Sequence, residues 1–370
     1  MVTLADRLDE LTHSGDLFEG LEDGGLRCVA CAHRCLIKPG KRGICKVRFN
    51  RDGELRVPWG YVAALQVDPI EKKPFAHFMP GVEALTFGML GCDFHCGYCQ
   101  NWLTSQALRD PQIDIDPTYI QRVTPNDLVR YALRNGARVV VSSYNEPLIT
   151  SEWAVEVFRA ARQEGLMCAF VSNGNATVEA LEYLRPHIDA YKVDLKSMQD
   201  HQYRKLGGVL QHVLDTIQNA HTLGLWVEVV TLVVPGFNDS PEELWEAARF
   251  LASVSADIPW HVTAFHPDYK MTSPPPTSAH ALHQAAEIGQ EAGLHYVYAG
   301  NLPGRVGSLE DTFCPQCNQR LVVRRGYVVQ AYHITPQGSC PNCQTKIAGL
   351  WPNDPGEVNL SGFGYPRRAR

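Results

Sequence analysis

The chain reads as an α/β protein: a partial (β/α)6 barrel, with a cysteine-rich segment at one end and a four-cysteine ribbon at the other. Three observations predict this. Strand-like and helix-like segments alternate between residues 81 and 305, the pattern of a parallel sheet with crossover helices. Eleven of the twelve cysteines fall into three clusters, at 28–45, 92–99 and 314–343. The outer two clusters flank the alternating region, so the 370 residues divide into 1–80, 81–305 and 306–370.

The elements follow in order. "EALTFGML" is a buried strand beginning at Glu83. "TPNDLVRYALRNG" is a helix with Thr124 as cap, Pro125 in the first turn and Gly136 beyond the end. "ARVVVSSY" is a strand, and "SEWAVEVFRAARQEG" a helix closed by Gly165. The strand "LMCAFVSNG", the helix "TVEALEYLRP" and the strand "IDAYKVDLK" come next. A helix near 209–223 leads to the strand "WVEVVTLVVPG". "SPEELWEAARFLASV" starts with Ser240, Pro241 and Glu243 in capping-box positions. "WHVTAFHP" is the sixth strand, a helix spans about 278–292, and "HYVYAG" is a candidate seventh. In such folds chemistry sits at the C-terminal strand ends. Six polar sets stand there: Cys92/Cys96/Cys99, Asn145–Glu146, Ser172–Asn173, Asp194–Lys196, Pro235–Asn238 and His261/His266.

Composition is that of a globular protein, 45% hydrophobic and 20% charged. No apolar run reaches the roughly 18 residues of a membrane span. The N-terminus is acidic and lacks a secretory pattern, so a cytosolic location is expected. A net charge of −6 argues against a nucleic-acid partner. The basic stretches Lys38–Arg48 and "PRRAR" read as solvated surface. In a cytosolic chain, tightly spaced cysteines read as metal ligands and not as disulfides. Cys168, alone in "LMCAFV", reads as a core residue.

"GCDFHCGYCQNW" places Cys92, Cys96 and Cys99 on one loop as C-x3-C-x2-C. A four-iron cluster takes one ligand per iron, so three thiolates leave one iron open. Zinc would need a fourth ligand, and His95 is cramped beside Cys96. With Tyr98 before the last cysteine, this motif resembles that of the radical SAM superfamily. The resemblance implies a [4Fe-4S] cluster whose open iron is chelated by S-adenosylmethionine (SAM). Reductive cleavage would give a 5′-deoxyadenosyl radical that abstracts hydrogen. It also implies SAM contacts: Tyr98, Asn145 and Glu146 in "SYNEP", Ser172 and Asn173 in "VSNG", Asp194 and Lys196 in "DLK". His261 joins them, with His266 as second choice. The last two stretches resemble those of activating enzymes for glycyl radical proteins. "SYNEP" departs from that family's Gly-Gly-Glu form, and Val171 stands where those activases often carry an aspartate.

The C-terminal pairs Cys314/Cys317 and Cys340/Cys343 read as a tetrahedral zinc site, with rubredoxin-like iron as the alternative. "RLVVRRGYVVQAYHI" between them reads as a hairpin. Cys28, Cys31, Cys35 and Cys45 form C-x2-C-x3-C-x9-C, a second metal site holding either zinc or an auxiliary iron–sulfur cluster, with His33 as an alternative ligand. Taken together, "CLIKPGKRGIC", "SYNEP", "VVPGFND" and "FHPDY" make the chain similar to the AmmeMemoRadiSam system radical SAM enzymes, which are related to pyruvate formate-lyase activating enzymes. That implies a protein or peptide substrate, a reduced flavodoxin- or ferredoxin-like electron donor, and companions resembling Memo and AMMECR proteins. The alternatives are a radical SAM enzyme acting on RNA and a non-catalytic metal-binding scaffold.

Overall fold

The computed structural model describes residues 4–113, 115, 119–362 and 364–369. The first three residues of the acidic N-terminus and the last of the basic tail lie outside them. Eight strands follow one another across the main sheet: β1 (Ala64–Pro69), β2 (Glu83–Gly88), β3 (Ala137–Ser142), β4 (Met167–Ser172), β5 (Ala190–Asp194), β6 (Trp226–Val233), β7 (Trp260–Ala264) and β8 (Val297–Gly300). From β2 to β8 every neighbouring pair is parallel. The parallel run therefore has seven strands, with "HYVYAG" completing it. β1 lies antiparallel on β2, and the short strand Arg367–Arg368 lies antiparallel on β1.

Helices fill the crossovers: α1 (Pro125–Arg134), α2 (Ser151–Gln163), α3 (Val178–Leu184), α4 (Asp200–Leu206), α5 (Leu210–Thr222), α6 (Pro241–Val254) and α7 (Ala279–Glu291). Parallel strands in sequence order, joined by crossovers of one hand, keep their helices on one face. On that face Leu85, Phe87, Val140, Phe170, Tyr191 and Val229 enter the main core. On the other face Ala84, Val139, Ala169 and Ala190 pack under Ile70, Phe75, Phe78 and Met79. The segment between β1 and β2 thus covers the first halves of the strands. Burial on both faces explains why these strands read as nearly unbroken apolar runs. Their C-terminal ends stay uncovered by it.

The caps follow the sequence. Thr124 Oγ1 accepts from Asp127 N, and Asp127 Oδ2 accepts from Thr124 N at 2.9 Å, a reciprocal capping box. Ser240 caps α6 by accepting from Glu243 N. The return half expected of Glu243 is not made; its carboxylate accepts from Ser197 Oγ and from Met198 N instead, fastening the loop after β5. Gly88 ends β2 where another backbone crosses it: an added Cβ would lie 2.4 Å from Ser143 O. Gly88→Ala is expected to destabilise by about 1–3 kcal/mol, read by urea denaturation.

The C-terminal part forms the expected ribbon, with Arg320–Arg325 and Val328–Tyr332 paired antiparallel and Thr312–Phe313 beside them. Its core of Leu321, Val322, Val329 and Ile347 packs on Ala76, Tyr296 and Tyr298. The N-terminal part holds two small antiparallel sheets. Among the described residues no helix is long and apolar enough to cross a membrane.

Candidate active site and metal centres

The three-cysteine loop leaves the sheet directly after β2. Met89 N donates to Asn145 Oδ1 at 3.0 Å and Gly91 N to Thr104 O at 2.9 Å, which fix its start. Gly91 has φ +103°, and an added Cβ would lie 3.2 Å from Cys45 O and 3.0 Å from Val47 Cγ1. The N-terminal cysteine segment therefore presses on this loop. Cys96 is buried, and Cys92 and Cys99 are half-buried. Phe94 N donates to Cys92 Sγ at 3.4 Å, and Ser105 Oγ lies 3.2 Å from Cys99 Sγ. Burial pushes all three thiols up, Cys96 to about 12. Metal binding would displace these protons, because the thiolate is the ligand.

The next two strand ends meet around one carboxylate. Glu146 accepts from Ser172 Oγ at 2.7 Å, from Asn173 N at 2.7 Å and from Leu148 N at 3.1 Å. Burial, with the nearby Asp93 charge, raises it well above the ordinary carboxylate range. Asp93 is fully buried and accepts from Asn173 Nδ2 at 2.7 Å and from Asn175 Nδ2 at 2.8 Å. It joins the cysteine loop to the loop after β4, and His33 Nε2 stands 3.9 Å away. Sequence reasoning missed Asp93 and Asn175. Asp93 stood inside the motif as a spacer, and only its position directly after Cys92 could have drawn notice.

β5 sets Lys192 and Asp194 on one face, as its two-residue period requires, and Lys196 follows two residues past its end. Both lysines pair with Asp194, Lys196 at 3.1 Å. Burial pushes the Asp194 carboxyl up, but the two lysines outweigh it and hold it at about 2. Burial acts to lower Lys196, yet Asp194 and the Cys96 thiol keep it well above the ordinary lysine value. Asn238 ties the end of β6 to this loop by donating to Lys196 O at 2.8 Å. Tyr98 is buried, with its ring edge-on to Phe237 at 5.6 Å.

The two histidines have different surroundings. His261 Nε2 lies 2.7 Å from Glu228 Oε2, and its ring stacks on Tyr298. Glu228 also accepts from Ala76 N and His77 N, and His77 Nε2 lies 2.6 Å from Tyr298 OH. The network continues into the ribbon through Thr312 and Ala348. His261 thus sits in a hydrogen-bonded junction between sheet and ribbon. His266 Nε2 lies 2.9 Å from Gln100 Nε2, one residue past Cys99.

The sulfur atoms of Cys314, Cys317, Cys340 and Cys343 all lie within 4.8 Å of one another, which fits a single tetrahedral ion. Cys28, Cys31 and Cys45 are buried and Cys35 is half-buried. Ile44 N donates to Cys35 Sγ at 3.5 Å. Burial pushes the thiols of Cys31, Cys35 and Cys45 up, and the four sulfur atoms are not gathered within 4.8 Å as the C-terminal four are. Arg48, 1% exposed, lies against the same set, its Nε without a hydrogen-bond partner.

Three thiols on one loop, with N–H and O–H groups aimed at sulfur, suit the thiolates of a four-iron cluster. An acid and a lysine at the neighbouring strand ends suit an amino acid moiety beside it. Residues 87–251 match the radical SAM superfamily model. The chain belongs to the radical SAM superfamily, and is an enzyme of that family. It is 36% identical over 334 residues to an uncharacterized protein of Methanocaldococcus jannaschii, covering 90% of this chain and 96% of the relative. It is 25% identical to the pyruvate formate-lyase 1-activating enzyme of Escherichia coli strain K12, over 58% of this chain and 91% of that one. A radical SAM methyltransferase from Sphaerobacter thermophilus aligns with 17% identity and a TM-score of 0.46, over 62% of this chain and 71% of that structure.

Proposed function

We propose that the chain is an activating-enzyme-like radical SAM enzyme that takes hydrogen from a protein or peptide. The observation that carries this is the gathering of four neighbouring strand ends. The Cys92–Cys96–Cys99 loop, Glu146 with Ser172 and Asn173, and Asp194 with Lys196 join at one end of the sheet. A [4Fe-4S] cluster with bound SAM would supply the one-electron chemistry, passing on an electron received from a donor protein to generate the hydrogen-abstracting radical. Cys92, Cys96 and Cys99 hold the cluster. Glu146 accepts the SAM amino group, and Lys196 binds the carboxylate. Ser172 and Asn173 keep Glu146 in place, and Asp93 orients Asn173. Tyr98 and Asn145 shape the floor of the loop, and His266 flanks it through Gln100. The relatives named for activating protein substrates support a protein or peptide substrate here.

In this reading the sheet is the partial barrel of residues 81–305, flanked by metal-binding segments at 1–80 and 306–370. The C-terminal thiols hold zinc, and the N-terminal four hold a second metal centre. A flavodoxin- or ferredoxin-like protein supplies electrons, and Memo-like and AMMECR-like proteins are its companions. Lys196→Met is expected to weaken SAM binding about 10–100-fold, the loss of one charge-assisted bond. Equilibrium dialysis of anaerobic, reconstituted protein measures this, with the exposed Lys205→Met as control. Unchanged affinity would remove Lys196 from the SAM site.

A further inference from the structure

The structure assigns a docking edge: an extended polypeptide segment pairs with the outer edge of β1, in the place now held by the chain's own C-terminal strand. This rests on the reading of a protein or peptide substrate, and four observations support it.

First, β1 is unequally paired. Its inner edge matches β2 along all of Ala64–Pro69. Among the described residues its outer edge carries two pairs only, Arg367 with Val67 and Arg368 with Gln66. An unsaturated edge of this kind takes a strand from another chain. Second, a cavity of about 800 Å³ lies along that edge, lined by Leu65, Gln66, Asn101, Leu103, Tyr119 and Tyr144. Leu103 and Tyr119, on the rim, are 46% and 60% exposed among the described residues.

Third, the cavity borders the cluster loop. Gln100 and Asn101 follow Cys99 directly and both line it. Their amides suit the backbone groups of an extended chain. A segment paired to β1 would therefore pass beside the proposed radical site. Fourth, the edge already holds such a segment. Gly364 lines a second cavity of about 460 Å³ that shares Gln100 with the first, and Arg368 and Ala369 line the first. Arg367–Arg368 form a two-residue strand on this edge, and Arg367 lies 3.4 Å from Glu83 at the start of β2. This strand shows the backbone direction, antiparallel to β1.

The test uses a fluorescent synthetic peptide of residues 359–370 and reconstituted protein ending at Gly362. The shortened protein is expected to bind the peptide saturably. Full-length protein should bind at least about tenfold more weakly, because its own tail competes at high effective concentration. A scrambled peptide of the same composition should not compete. Should the shortened protein fail to fold, Arg368→Pro in the full chain releases the tail strand and is expected to bind the peptide more tightly than wild type. No binding by a folded variant, or equal binding by the full chain, would overturn the assignment. Peptide capture is read without SAM cleavage. Capture without 5′-deoxyadenosine formation would leave the docking edge and remove the proposed function. Formation of 5′-deoxyadenosine without capture would do the reverse.

Discussion

Arg48→Met is expected to cost about 3–5 kcal/mol of stability. Arg48 and Glu152 are 1% and 2% exposed and form a two-pronged ion pair, both bonds at 2.7 Å. Arg48 Nη1 also donates to Ile149 O at 3.2 Å. Glu152 accepts in addition from Asp16 N and Leu17 N. The pair thus fastens the N-terminal segment to the start of α2. Removing the guanidinium leaves a buried carboxylate with two long backbone bonds, and its uncompensated charge is the large term. Urea denaturation under anaerobic conditions measures the loss. Arg48→Met with Glu152→Gln should recover part of it, because the stranded charge goes. A loss below about 1 kcal/mol for the single variant would show that the pair is not desolvated as the structure has it.

Cys340→Ser is expected to have the larger effect, confined to the ribbon. Binding of a structural ion to four thiolates is worth on the order of 10–16 kcal/mol, most of it folding energy of the segment that supplies them. The ribbon's own core is small and leans on Tyr296 and Tyr298. Without the ion the cysteine knuckles have little to hold them, and the bonds from Thr312 and Ala348 into the His77–Tyr298 junction go with them. The variant should lose one equivalent of bound metal, and limited proteolysis should cut between residues 313 and 350. Retention of metal and protease resistance would contradict a four-thiolate site.

Much of this fold was legible because local signals agreed with the global pattern. Thr124, Ser240 and Gly165 mark helix ends that the structure keeps. The apolar runs of β2 to β8 announce strands buried on both faces. What stayed hidden depends on partners far away in sequence. β1 carries Gln66 and Asp68 among its apolar residues, and its pairing with Arg367–Arg368 joins the two ends of the chain. Glu243 fits a capping box by spacing, yet a competing pair of donors at Ser197 and Met198 takes its carboxylate.

The candidate site was half legible in the same way. Cysteine spacing and the "VSNG" and "DLK" stretches point to residues that the structure brings together. Asp93 is invisible to spacing, because its role comes from Asn173 and Asn175, some 80 residues on. The separate surroundings of His261 and His266 also needed three dimensions. The period of a strand says which face a histidine takes, not which acid waits there.

The most direct test is anaerobic. Protein reconstituted with iron and sulfide is reduced with dithionite and given SAM, and 5′-deoxyadenosine is counted for wild type and for Cys96→Ala. The wild type is expected to form the product. The variant should form none and should carry about four fewer iron atoms per chain, since the loop can no longer hold its cluster. Equal product from both proteins, or none from wild type with full iron content and bound SAM, would contradict radical chemistry at the Cys92–Cys96–Cys99 loop.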